Sequence, residues 1–123
     1  MYEFNNQKPL YLQLKEVIVE AILNDVLKSD TAVPSIRNLS KDYRLNPLTV
    51  TNAIDALVND GILYKKRGIG MFVSEDAKQR IKEQQFESFK NNELVATIEK
   101  ARLFGMLKME IETIVNQIFG GKK

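Results

Sequence analysis

The sequence predicts a mainly α-helical protein with one small β-hairpin: an N-terminal winged helix-turn-helix over residues 1–75, then a two-helix C-terminal region over residues 76–123. Three observations predict it. Three apolar stripes at spacings of three and four fill the first sixty residues, each bounded by proline, serine, asparagine or glycine. Two β-prone runs then flank a basic, glycine-bearing turn at residues 62–73. From residue 76 to 119 there is no proline and a single glycine, Gly105, as suits long helices.

The first helix is expected over residues 9–24. Pro9 suits a first helical position, where its missing N–H costs nothing, and Leu10, Tyr11, Leu14, Val17, Ile18, Ala21 and Ile22 form one apolar face. Residues 25–35 read as a connection. Val33 is extended because it precedes Pro34, and Ser35 caps a second helix over residues 36–43 with Ile36 and Leu39 pointing inward. Asn46 and Pro47 cap and open a third helix over residues 47–59, with Val50, Ala53, Ile54, Leu57 and Val58 as its stripe. Gly61 takes the left-handed position after it. In the hairpin that follows, Tyr64 reads as a packed strand aromatic. A long helix runs from about residue 76 to Phe104, with Asn91-Asn92 the expected place for a bend or break. Gly105 ends it, a last helix covers residues 107–119, and residues 120–123 form a frayed tail.

Composition narrows function. The 123 residues, 44% apolar and 28% charged, suit one small globular domain with an appendage. There are no cysteines and no histidines. Disulfides, thiolate chemistry, Ser-His-Asp catalysis and histidine-based metal sites are therefore excluded, and no cofactor or metal is expected. The carboxylate pairs Glu16/Glu20 and Glu110/Glu112 read as solvated helix faces, so an enzyme is not expected. No apolar run approaches the ~18 residues of a membrane span. The N-terminus lacks a basic, apolar leader, and a cytoplasmic protein without membrane association is expected.

The formal charge of +2 is small, but residues 34–70 carry six basic residues, Arg37, Lys41, Arg44, Lys65, Lys66 and Arg67, against Asp42, Asp55 and Asp60. Two helices meeting at a tight turn let the second project into the major groove of double-stranded DNA, with its first residues at the base edges. Those residues are Leu48, Thr49, Thr51 and Asn52. Ser35 is first a helix cap, with phosphate contact a second role. Arg37, on the first turn of the second helix, and Arg44 belong to the basic strip. Lys65, Lys66 and Arg67 suit phosphate contact, and they also shield an exposed hairpin edge. Gly68 is first a turn residue.

After residue 75 the apolar residues exceed what two helices can cover. Phe86, Phe89, Ile98, Leu103, Phe104, Ile111, Ile114, Val115 and Ile118 are the candidates for a self-complementary homodimer interface. Pairing would set two recognition helices about 34–36 Å apart, or a multiple of it, on one face of a (pseudo)palindromic operator.

Four ordered blocks carry a family resemblance: residues 8–14 (KPLYLQL), 33–39 (VPSIRNL), 46–50 (NPLTV) and 60–73 (DGILYKKRGIGMFV). Together they resemble the GntR family of bacterial transcription regulators, and the short C-terminal region is similar to the YtrA-like subgroup, whose two C-terminal helices mediate dimerisation. The resemblance implies that Arg37 matches a DNA-contacting arginine, Thr49 a recognition-helix residue on phosphate or base, and Gly68 the wing glycine that approaches the minor groove. It further implies a repressor, often of operons encoding ABC-type transporters. The chain departs from the family where Thr51 and Asn52 replace a customary arginine, where Ile69 stands between the wing glycines, and where Ser29-Asp30 replaces Pro-Gly. The alternative is a winged-helix module that binds protein without DNA. A small-molecule effector, unidentified from sequence, is expected only between the C-terminal helices or at the dimer interface, in a mostly apolar cavity.

Overall fold

The computed structural model describes residues 3–120. Met1 and Tyr2, and residues 121–123 of the expected frayed tail, lie outside the described residues. The element order is α1 (Leu10–Leu23), α2 (Ile36–Tyr43), α3 (Pro47–Asn59), β1 (Leu63–Lys66), β2 (Gly70–Val73), α4 (Ala77–Ser88), a π-helical segment (Phe89–Leu94), α5 (Val95–Leu103) and α6 (Lys108–Ile118). The chain divides into two compact units, Met1–Gln84 and Gln85–Lys123.

In the first unit, helix α1 begins one residue later than expected. Pro9 occupies the cap position (φ −52°, ψ 141°), and its carbonyl accepts from the N–H groups of Leu12 and Gln13. Its buried face is Leu14, Ile18, Val19 and Ile22, together with Gln13, whereas Leu10 is exposed. Gln13 is the buried polar residue that the apolar pattern passes over. Its Oε1 accepts from the Asn5 N–H (2.9 Å), and its Nε2 donates to the carbonyls of Asn5 (2.7 Å) and Lys8 (2.8 Å). The amide is thus bonded at both ends, which offsets the cost of burying it, and it pins the segment leading into α1.

Helices α2 and α3 start and stop where the caps predict. The α3 stripe of Val50, Ala53, Ile54 and Leu57 meets the α1 face, Leu39, Val33 and the strand residues Leu63 and Val73 in one core. Lys15 of α1 holds Asp60 just past α3 at 2.8 Å. Gly61 has φ +77° beneath Arg80, where a Cβ would lie 2.9 Å from the guanidinium. The backbone therefore calls for glycine, while the flexible Arg80 side chain could swing aside to admit a Cβ.

The hairpin pairs β1 and β2 antiparallel, with Leu63 opposite Val73 and Lys65 opposite Met71. The connection before α2 does more than join helices. The Asp30 N–H donates to Val73 O, the Val73 N–H to Thr31 O, and the Val33 N–H to Met71 O, so residues 30–33 pair along the outer edge of β2. This covers an edge that would otherwise stand open. The first unit also runs past the boundary at residue 75 expected from the sequence, because Ala77 and Ile81 on the first turns of α4 are buried in its core.

The second unit is helical but has no core of its own. None of its described residues is buried. Asn91-Asn92 make no break: the backbone turns through the π-helical segment, and the Asn91 and Asn92 amides reach back to Glu87 and Ser88. Helix α5 ends before Gly105 (φ +87°), and α6 opens with Glu110 accepting from the Leu107 N–H (2.7 Å).

Candidate nucleic-acid interface

The interface begins with the chain direction into α2. Pro34 holds Val33 extended, and Ser35 (φ −64°, ψ 161°) stops that extension, its Oγ accepting from the Asn38 N–H at 3.0 Å. One free N–H of the first helical turn is thereby satisfied. Leu39 is buried and Ile36 half-buried, which leaves Arg37 on the exposed side of that turn. Arg44 ends α2 in the left-handed conformation (φ 55°, ψ 47°). Three residues thus link α2 to α3, with Leu45 half-buried at the turn. Asn46 then accepts from the Leu48 N–H at 2.7 Å and starts α3.

On α3 the predicted contact residues divide by exposure. Leu48, 67% exposed, and Asn52 stand free on the face away from the core. Thr49 and Thr51 are half-buried. Asp55 is exposed one turn further along.

The hairpin separates the basic run that is contiguous in sequence. Alternation along a strand sends neighbours to opposite faces. Lys65 lies on the Leu63 side, where an open groove of about 420 Å³ is lined by Ser35, Arg37, Lys65 and Ile69 over a floor including Val33, Ile54 and Met71. Lys66 lies on the other face, its ammonium 4.4 Å above the Phe72 ring. Phe72 stacks on Tyr64 at 5.9 Å, and the Tyr64 hydroxyl donates to Asp30 Oδ1 at 3.1 Å. Tyr64 is a packed strand aromatic, as expected. Partial desolvation, then the hydrogen bond and charge of Asp30, then the charge of Glu75, hold its pKa above the usual tyrosine value, so it remains a neutral donor. Arg67 and Gly68 form the tip, where Gly68 (φ +77°) makes the turn and Ile69 is 73% exposed.

The structure thus brings Ser35, Arg37 and Lys65 to one groove, whereas Arg67 and Gly68, at the hairpin tip, do not line it. Arg44 belongs to the helix-helix turn, and Leu48 and Asn52 to the free face of α3. Among the described residues, none of Arg37, Lys41, Arg44, Lys65, Lys66 and Arg67 forms an ion pair, whereas Asp60 is taken up by Lys15. Arg37 and Lys65, unpaired in one groove, give a positive field that an anionic polymer can neutralise. No group of three or more potential metal ligands occurs among the described residues, and no helix there is long and apolar enough to cross a membrane.

The expected pairing residues of the second unit are displayed rather than packed. Phe86, Phe89, Ile98, Leu103, Phe104, Ile114, Val115 and Ile118 are exposed, Leu103 at 82% and Phe104 at 77%, and Ile111 is half-buried. Leu94, Val95, Leu107 and Met109 are exposed apolar residues that the sequence reading left out of that set. The same excess of apolar over coverable surface would have found them.

Comparison with known proteins matches this architecture. Residues 10–73 match the family described as bacterial regulatory proteins, gntR family. The chain is 32% identical over 119 residues to the HTH-type transcriptional repressor YtrA of Bacillus subtilis (strain 168), an alignment covering 94% of this chain and 91% of that protein. Longer curated relatives match through the N-terminal part, and the chain spans 27% of the length of one of them. Its fold is similar to that of a GntR family transcriptional regulator from Listeria monocytogenes, with TM-score 0.74, 28% identity, and coverage of 93% of this chain and 98% of that one. It is also similar to AraR(DBD) solved in complex with operator ORR3, with TM-score 0.54, 30% identity, and coverage of 60% and 89%. Winged helix, unpaired cations and family match agree: the chain belongs to the gntR family of bacterial regulatory proteins, as a DNA-binding transcriptional regulator and not an enzyme.

Proposed function

We propose that the chain is a cytoplasmic, homodimeric repressor that binds a (pseudo)palindromic operator, one half-site per winged helix. The observation that carries this reading is the groove shared by Ser35, Arg37 and Lys65, whose two cations, like Lys41, Arg44 and Arg67 of α2, its C-cap and the hairpin tip, form no ion pair. Arg37, Lys65 and Arg67 take phosphates or the groove edge. The α3 side chains Leu48 and Asn52 take base edges, with Thr49 and Thr51 beside them. The relatives YtrA and AraR support repression and operator binding. The exposed apolar residues of α5 and α6 support pairing of two chains.

An operator-length duplex and a random duplex, compared by fluorescence anisotropy over a salt series, test the reading. Specific DNA should bind more tightly, and both affinities should fall steeply with salt as counterions are released. Equal affinity for both duplexes, or none at low salt, overturns it. A stoichiometric protein partner retained from nuclease-treated lysate, with no DNA affinity, would instead establish the protein-binding alternative.

Arg37→Ala is expected to weaken operator binding about tenfold or more and to lower the salt slope by about one per half-site. Arg37 is exposed and without an ion pair. The melting temperature should therefore stay close to that of the parent, as for most surface substitutions. Loss of folding in this variant would show Arg37 to be structural.

A further inference from the structure

We propose that α3 selects A·T base pairs in the major groove, Leu48 packing on the 5-methyl group of a thymine and Asn52 pairing with an adenine. The inference rests on the DNA-binding reading above and names the bases that reading leaves open.

The argument starts from what α3 lacks. Its thirteen residues include no lysine and no arginine. Guanine shows two acceptors in the major groove, and the side chains that meet both are arginine and lysine. No such group is present on this helix. Every cation of the interface lies elsewhere: Arg37 and Lys41 on α2, Arg44 at its C-cap, and Lys65, Lys66 and Arg67 on the hairpin.

What α3 offers instead is neutral. Leu48 and Asn52 lie four residues apart, so they share one helix face. That face is exposed, opposite Val50, Ala53, Ile54 and Leu57 in the core. Adenine presents an acceptor and a donor side by side, the pattern a carboxamide matches with two hydrogen bonds, while thymine presents a methyl group that an aliphatic side chain covers. Asp55, a turn beyond Asn52 on the same face, carries a charge that phosphate repels. It confines base contact to the N-terminal part of α3. Affinity then comes from the flanking cations, and α3 discriminates.

The test uses the full chain and a site selected from random-sequence duplex. Thymines of that site are replaced singly by deoxyuridine, which removes only the methyl group, and adenines by 7-deazaadenine, which removes the N7 acceptor. At one or more thymines per half-site, the parent protein should bind about fourfold more weakly without the methyl group, and Leu48→Ala should show no penalty there. At an adjacent adenine, loss of N7 should cost the parent about tenfold, and Asn52→Ala should be indifferent to it. Penalties of equal size in parent and variants overturn the inference, as do selected half-sites whose Leu48- and Asn52-sensitive pairs are G·C. Selection that enriches no sequence over the starting pool overturns the DNA-binding reading instead. Both side chains are exposed, so unchanged melting temperatures should certify the variants. Leu48→Val and Asn52→Ser serve if either alanine variant melts early.

Discussion

Ile114→Glu is expected to convert a dimer into a monomer, to unwind much of the C-terminal helix content, and to weaken operator binding by about 10²–10⁴-fold. The second unit has no buried residue among those described. Its last helix, α6, with eleven residues, is shorter than the roughly 12–15 residues at which isolated helices are even marginal in water. It persists only if its apolar surface is covered, and a second copy would cover it symmetrically. Ile111, Ile114, Val115 and Ile118 recur at spacings of three and four on α6, so a carboxylate at Ile114 stands in the middle of that stripe. An unpaired charge buried there costs several kcal/mol, of order the energy that holds a modest interface together. Sedimentation gives the mass, far-UV circular dichroism the helix content, and anisotropy the affinity. The affinity loss follows because linked half-sites raise each other's effective concentration. A variant that stays dimeric, or a monomeric parent with intact C-terminal helices, would remove the pairing proposal.

Ile54→Ala should produce the largest loss of stability with the least direct loss of DNA contact. Ile54 is almost fully buried, and its side chain also floors the groove beside Ser35 and Arg37. Truncation removes three carbon atoms and leaves a cavity between α3 and its neighbours. Comparable core changes cost about 2–5 kcal/mol. For a unit of this size that corresponds to a fall in melting temperature of roughly 10–20 °C or more. At low temperature the folded fraction remains high, and operator affinity should stay within about threefold of the parent, since surplus stability of order 5–15 kcal/mol is typical. Arg37→Ala should show the converse, with affinity lost and melting unchanged. Calorimetry and anisotropy on both variants separate a residue that holds the groove together from one that uses it. An Ile54→Ala protein with parental melting would show that the core tolerates the cavity, and that this account of α3 packing is wrong.

Much of the first unit was legible from caps and periodicity, because those signals are local. Ser35, Asn46 and Pro47 satisfy or dispense with backbone N–H groups within their own turn, so the boundaries of α2 and α3 follow from the residues. The three-and-four spacing of Val50, Ala53, Ile54 and Leu57 likewise needs no knowledge of the partner surface. Gln13 was illegible for the opposite reason. Its amide is buried because the segment through Asn5 and Lys8 folds back over it, and nothing in a helical wheel marks a polar residue as inward when its partners lie before the helix. The pairing of residues 30–33 with β2 was hidden too, since it joins segments some forty residues apart.

From residue types and spacing alone came the winged helix, the absence of histidine or cysteine chemistry, and the concentration of positive charge between residues 34 and 70. Packing settled matters of another kind. It sent Lys65 into the groove with Arg37 while laying Lys66 over Phe72, although the two are consecutive. It buried Ala77 and Ile81 with the first unit, and it left Leu48 and Asn52 open while half-covering Thr49 and Thr51. The reason is one of range. Capping and periodicity are properties of a few successive residues, whereas the face a side chain finally presents depends on which distant surfaces arrive to cover its neighbours.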